Sequence, residues 1–144
     1  MSKDGNIKTE TEIFYDSNSL VKIAFSKQKT NSRDCFLFHK TTQRKLYDDE
    51  YKKHSRNGFF DVIFTNEKGQ VTEGAISNIF IKSNGVLYTP PVSCGLLDGT
   101  FRRHLLENRR IPVKEKILYK DDIIKADKIY LTNSVRGIVE AMLK

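Results

Sequence analysis

The sequence predicts an α+β fold: a hairpin-rich mixed sheet with a few short helices. Three observations carry that expectation. Short runs of alternating apolar and polar residues recur, as at Leu20–Phe25 and Val113–Tyr119. Successive side chains on a strand point to opposite faces, so such runs read as strands. Turn clusters separate the runs, above all Asn66-Glu67-Lys68-Gly69 and Ser83-Asn84-Gly85, which are hairpin signals. Helical patterning is confined to a few short stretches.

In order, residues 1–19 are polar, with loose alternation from Thr9 to Tyr15 that fits a short strand and a turn at Asp16-Ser17-Asn18-Ser19. Leu20–Phe25 is a strand and Ser26–Asp34 a polar loop. Cys35–Phe38 is a short apolar entry that delivers Lys40. From Gln43 to Arg56 the pattern turns helical: Leu46, Tyr47 and Tyr51 share one face and charges fill the other. Asn57-Gly58 is its stop signal. Phe59–Thr65, a restart at Val71, Asn78–Lys82 and Val86–Thr89 place three or four antiparallel strands within residues 59–89. Pro90-Pro91 breaks the sheet. Gly95–Gly99 is a loop opening a helix from Thr100 to Asn108, which ends before Pro112. Val113–Tyr119 reads as an edge strand, and Asp121-Asp122 as the cap of a short helix through Ala126. Lys128–Thr132 and Ile138–Leu143 are the last strands, joined by a loop at Asn133–Arg136. No internal repeat interrupts this order.

The length, 144 residues, suits one domain with a real core. With 25 basic and 18 acidic residues the net charge is +7. The basic residues lie scattered among acids. Their densest group, Arg102, Arg103, Arg109, Arg110, Lys114, Lys116 and Lys120, reads as a solvated face, so a nucleic-acid partner is not expected. Cys35 and Cys94 are far apart and read as free, reduced thiols. His39, His54 and His104 show no metal spacing, and no metal is expected. No apolar run approaches the ~20 residues of a membrane span, and Met1–Gly5 lacks the apolar core of a signal peptide. A cytoplasmic location, away from membranes, is the expectation.

The chemistry centres on Lys40, preceded by Phe36, Leu37 and Phe38 and followed by Thr41, Thr42 and Arg44. A lysine carried into an apolar setting loses its proton more readily, and a neutral amine attacks aldehydes. A lysine at a strand end with its head in water is the plainer reading. Four further motifs follow: Thr72-Glu73-Gly74 with Ser77-Asn78-Ile79-Phe80; Leu87-Tyr88-Thr89-Pro90-Pro91; Leu97-Asp98-Gly99-Thr100-Phe101-Arg102; and Thr132-Asn133-Ser134-Val135-Arg136-Gly137. In this order, over roughly residues 20–143, the set resembles the C-terminal large domain of the class IV aminotransferase family, pyridoxal-phosphate enzymes of fold type IV. The Lys-Thr-Thr-x-Arg form looks most like its aminodeoxychorismate lyase branch.

That resemblance implies pyridoxal 5'-phosphate as cofactor and Lys40 as its attachment point and catalytic base. It implies Glu73 beside the ring nitrogen, where a carboxylate holds the proton that makes the ring an electron sink. Gly99, Thr100 and Phe101 would hold the phosphate at a helix N-terminus. Asn133 and Ser134 would contact phosphate or ring, and Arg136, with its planar fork, a substrate carboxylate. Arg44 is either a cofactor contact or a structural group paired with a backbone carbonyl. Tyr47 either bonds a cofactor oxygen or packs. Asp98 departs from the family pattern, which often has proline there; an acid beside a phosphate must point away, unless it only caps the helix. The resemblance implies a lyase that splits 4-amino-4-deoxychorismate into 4-aminobenzoate and pyruvate, a step towards folate. A branched-chain or D-amino acid aminotransferase remains open beside it, as does a non-catalytic fragment. Family members are about twice as long. Residues 1–34 are therefore expected to be the remnant or linker of a missing N-terminal domain, and 35–144 the cofactor-binding domain. A small amino substrate, and a homodimer or a partner supplying the other wall, complete the expectation.

Overall fold

The structure, a computed structural model, describes residues 20–108 and 110–144. The strand expected at Thr9–Tyr15 and the turn after it lie outside the described residues. The elements run β1 Val21–Thr30, α1 Lys45–Ser55, β2 Asp61–Asn66, β3 Val71–Gly74, β4 Asn78–Ser83, β5 Val86–Thr89, α2 Thr100–Glu107, β6 Val113–Glu115, α3 Lys120–Ile124, β7 Lys128–Asn133 and β8 Gly137–Leu143. The described strands form one mixed sheet of eight, ordered β3-β2-β1-β8-β7-β4-β5-β6. The α+β class is the one the sequence predicts.

Both hairpins stand where the turn residues put them. Between β4 and β5, Asn84 and Gly85 have φ of 50° and 80°, the left-handed pair a two-residue hairpin loop requires. The four strands of residues 59–89 are nonetheless not contiguous. β1, β8 and β7 lie between the two hairpins, because β1 pairs in parallel with both β2 and β8. Parallel pairing joins distant segments and leaves no local turn signal.

Two sequence readings change at β1. The strand continues through the polar residues to Thr30, meeting β2 again at Lys29 and Thr30 after a register shift. Ser26 and Thr30 are buried, and the Ser26 hydroxyl donates to Glu50 of α1 at 2.6 Å. Polarity here marks inward hydrogen bonding and not a loop. Residues 20–34, part of the stretch expected to be the remnant or linker of a missing N-terminal domain, contain an inner strand of this sheet.

The sheet buries apolar side chains on both faces. Ile23, Ile63, Ile79 and Leu131 pack with Leu118 and with Ile123 of α3. On the other face Val62 and Phe64 meet Tyr47 of α1, with ring centroids 4.5 Å apart. Leu46, expected on that buried face, is exposed, and Glu50 turns inward instead. The Lys116 N–H donates to Thr89 O at 2.9 Å, and Leu118 O accepts from Val71 N–H at 2.7 Å. The segment after β6 therefore ties β5 to the far edge strand β3, and the sheet curls round. Among the described residues no helix is long and apolar enough to cross a membrane.

Candidate active site

Asp61, at the start of β2, builds one wall of the site. Its carboxylate accepts from Val62 N–H at 2.8 Å, Ala75 N–H at 2.9 Å and the Ser77 hydroxyl. Burial nevertheless pushes it up to about 6, against the pull of those donors. These bonds fix the bend from Gly74 to Ser77 that joins β3 to β4. Gly74 has no space for a side chain: a Cβ would stand 2.2 Å from Asp61 Oδ2 and 2.9 Å from Ser77 Oγ.

Glu73, in the strand entering that bend, is 6% exposed. Its carboxylate accepts from the Tyr47 hydroxyl at 3.2 Å, Leu97 N–H at 3.2 Å and Asn78 Nδ2 at 3.4 Å. Burial is the main cause that pushes it up to about 8, opposed by the Leu97 N–H and the Arg44 charge. Among the described residues no cation stands within ion-pair distance of it. A buried acid held by neutral donors alone is suited to gain a cationic partner. Tyr47 is thus a hydrogen-bond partner of Glu73 and a packing group of α1 together, and its phenol is pushed up, first by burial and then by Glu73.

The N-terminus of α2 faces the same space. Gly99 is its N-cap and no side chain caps it, so its first-turn N–H groups are available to an anion. A Cβ on Gly99 would lie 2.3 Å from Asn78 Oδ1, while Asn78 Nδ2 donates to Leu97 O at 2.8 Å. The glycine is needed because Asn78 ties down the approach to the helix. Asp98 is not the cap. It turns away to Arg102, at 2.7 Å, and Arg103, at 3.5 Å, which clears the acid from the helix end. Arg102 is no part of a solvated face: it is 2% exposed and also donates to Pro90 O at 2.9 Å and to Glu115.

The β7–β8 loop closes the third side. Asn133 Oδ1 accepts from Val135 N–H at 3.1 Å and Arg136 N–H at 2.8 Å, and its Nδ2 donates to Ile76 O at 3.3 Å. One side chain therefore shapes its own loop and pins it to the bend at Gly74–Ser77. Ser134 and Thr100 hydroxyls are 2.8 Å apart, joining this loop to α2. The Arg136 guanidinium lies 4.8 Å from the Phe60 ring centroid.

Lys40 is exposed, and the apolar entry before it, Cys35–Phe38, is a 3-10 turn and not a strand. The burial expected for it is absent. Arg44 donates to Ala75 O and stacks 5.1 Å from the Tyr47 ring centroid, a backbone-carbonyl pairing of the kind its structural alternative describes. All nine site residues read from the sequence, Lys40, Arg44, Glu73, Gly99, Thr100, Phe101, Asn133, Ser134 and Arg136, line one open cavity of about 420 Å³. The cavity offers cations (Lys40, Arg44, Arg136), a helix N-terminus with two hydroxyls, and one deep acid. Asp61 was not foreseen. Its signal is an acid between Phe60 and Val62 in an otherwise apolar run, since such an acid must be hydrogen-bonded inside.

Residues 7–142 match the family model described as "Amino-transferase class IV". A provisionally assigned aminodeoxychorismate lyase from Schizosaccharomyces pombe is 35% identical over 113 residues, covering 73% of this chain and 47% of that protein. A D-alanine aminotransferase from Bacillus licheniformis is 31% identical over 83 residues, 56% of this chain and 29% of its own length. The solved structure of a provisionally assigned 4-amino-4-deoxychorismate lyase from Legionella pneumophila superposes with a TM-score of 0.86 at 26% identity, over 93% of this chain and 51% of that one. The chain spans less than half the length of the curated relatives it matches.

Proposed function

The chain belongs to the amino-transferase class IV family, and from that premise we propose that it forms the pyridoxal-phosphate site of a lyase that splits 4-amino-4-deoxychorismate into 4-aminobenzoate and pyruvate. The observation that carries the reading is the pairing, across one cavity, of a buried acid without a cationic partner and an uncapped helix N-terminus. A ring with a basic nitrogen at one end and a phosphate at the other matches that polarity. Pyridoxal phosphate, when bound, supplies an aldehyde for amines and a ring that withdraws electrons from a substrate α-carbon. Lys40 Nζ would be the attachment point for the cofactor's aldehyde and the base that moves the proton at the substrate α-carbon. Glu73 would stand beside the ring nitrogen and hold a proton there. Thr100 and Phe101 would offer N–H groups to the phosphate, with the Thr100 and Ser134 hydroxyls beside them, while Gly99, whose own N–H is held by Leu97 O at 2.9 Å, lets the backbone come close. Arg136 orients a substrate carboxylate, and Asn133 holds the Arg136 loop in place. Arg44 acts through Ala75 and Tyr47, as a positioning residue.

The lyase reading rests on the Lys-Thr-Thr-x-Arg form and on relatives of that name. Amino transfer is the second reading, favoured by relatives named as aminotransferases. Lys40 is exposed where it lines the cavity, and we propose that a homodimer mate or a further domain supplies a wall there.

The first test is covalent. Protein mixed with pyridoxal phosphate, reduced with borohydride and digested should carry the label on Lys40 alone, with a visible absorbance band that Lys40→Ala loses. Label spread over surface lysines, or a band indifferent to Lys40→Ala, would sink the assignment. Pyruvate release from aminodeoxychorismate, measured beside amino transfer to 2-oxoglutarate, separates the two reactions.

A further inference from the structure

A second cavity, of about 370 Å³, lies between the last turn of α2 and the sheet, a size in the range of small-molecule sites. Phe80 and Tyr130 are register partners on β4 and β7, as are Thr132 and Ile138 on β7 and β8. They share a sheet face that α2 covers only in part, through Leu105. Leu87, Ile111 and Pro112 complete an apolar wall.

Three polar groups stand at this cavity. Thr132 is 2% exposed and its hydroxyl has no hydrogen-bond partner. A buried hydroxyl left unbonded is costly, and its wall position makes it available to a ligand. Lys82 and Arg110 also line the cavity, and neither forms an ion pair among the described residues. Glu140 of β8, the register partner of Tyr130, is held by Lys128 at 2.9 Å, and Asp127, whose N–H donates to Lys82 O, accepts from Asn84 N–H at 3.0 Å. Two unneutralised cations at an apolar hollow select an anion with an apolar body.

We propose that this cavity is a binding site for a small carboxylate with an aromatic or branched aliphatic body, its carboxylate between Lys82 and Arg110 and its body against Phe80, Leu105 and Ile138. Thr132 lines both cavities, so an occupant sits directly behind the Asn133–Arg136 loop. The site uses neither Lys40 nor Glu73 and does not depend on the cofactor reading.

Methyl NMR of the full chain tests it, because the two cavities have different reporters. Leu87, Leu105, Ile111 and Ile138 line this one, and Ile76, Leu97 and Val135 the other. Phenylacetate and 4-methylpentanoate should shift the first set saturably below about 10 mM, as expected for ligands of this size. Phenylacetamide, the neutral isostere, should bind about tenfold more weakly. In the double variant Lys82→Met and Arg110→Met that preference should vanish while the fold, read from the remaining methyls, persists. The proposal is overturned if no saturable shift occurs, if shifts stay in the second set, or if amide and carboxylate bind alike. It is equally overturned if the first set moves with protein concentration alone, which would make the face an interface between copies.

Discussion

At the residue scale, Glu73 sets the pH behaviour of the cofactor-free protein. Its ordinary value is 4.5 and burial raises it to about 8. Between those values the folded state holds a proton that the unfolded chain has released, so stability falls as pH rises across the window and levels off above it. Asp61, raised from 3.8 to about 6, adds to the fall in the lower part. Glu73→Gln carries no titrating group. In thermal melts it should match the parent near pH 5 and exceed it by about 1–3 kcal/mol near pH 8.5, while binding pyridoxal phosphate about tenfold more weakly. A variant as pH-sensitive as the parent would remove Glu73 as the cause. Gly74→Ala should cost about 2–4 kcal/mol in urea denaturation, since the new methyl meets the Asp61 carboxylate and not a yielding side-chain tip.

At the scale of elements, α2 shows how the chain holds a helix end open. Arg102 is buried, but its partners Asp98 and Glu115 are 39% and 45% exposed. Water can solvate those acids once the arginine is gone, so Arg102→Met should cost a moderate amount, about 1–3 kcal/mol. Amide exchange in α2 should rise more than in β7. Equal exchange gains in both would show a general loosening and not the loss of a local anchor. The same helix marks a boundary of sequence reading. Its extent, and the glycine before it, were legible from Pro112, Gly99 and the apolar spacing. The direction of Asp98 was not, because it follows Arg102, whose other partner, Glu115, lies beyond the next loop. Lys40 is similar: apolar neighbours suggested burial, but Cys35–Phe38 coils as a 3-10 turn and leaves the lysine at an open rim.

For the whole molecule, local signals sufficed wherever neighbours in sequence are neighbours in space. Both hairpins, the three helices and the site loops follow from turn residues and periodicity; the nine residues that meet at one cavity came instead from the family resemblance of the motifs. The order of strands did not follow, since β1 lies between two partners that no turn connects to it. Curling of the sheet depends on the segment through Leu118, which is fully buried while Ile117 is 43% exposed. Leu118→Ala should therefore cost about 2–5 kcal/mol and Ile117→Ala within about 0.5 kcal/mol, compared by denaturant midpoint. Similar losses would mean that the sheet holds its curl without that seam.

The parallel contact of β1 with β8, Val21 opposite Ala141, has a consequence for biosynthesis. A ribosome delivers β8 only after β1 and every other strand of the described sheet. Until residues 137–143 emerge, one long margin of β1 stays bare, an invitation to mispairing with any passing strand. The cooperative gain from so distant a contact also arrives late and slowly. This sheet therefore closes only once β8 has emerged, and a nascent chain stalled before Gly137 should be sensitive to protease and a client for chaperones.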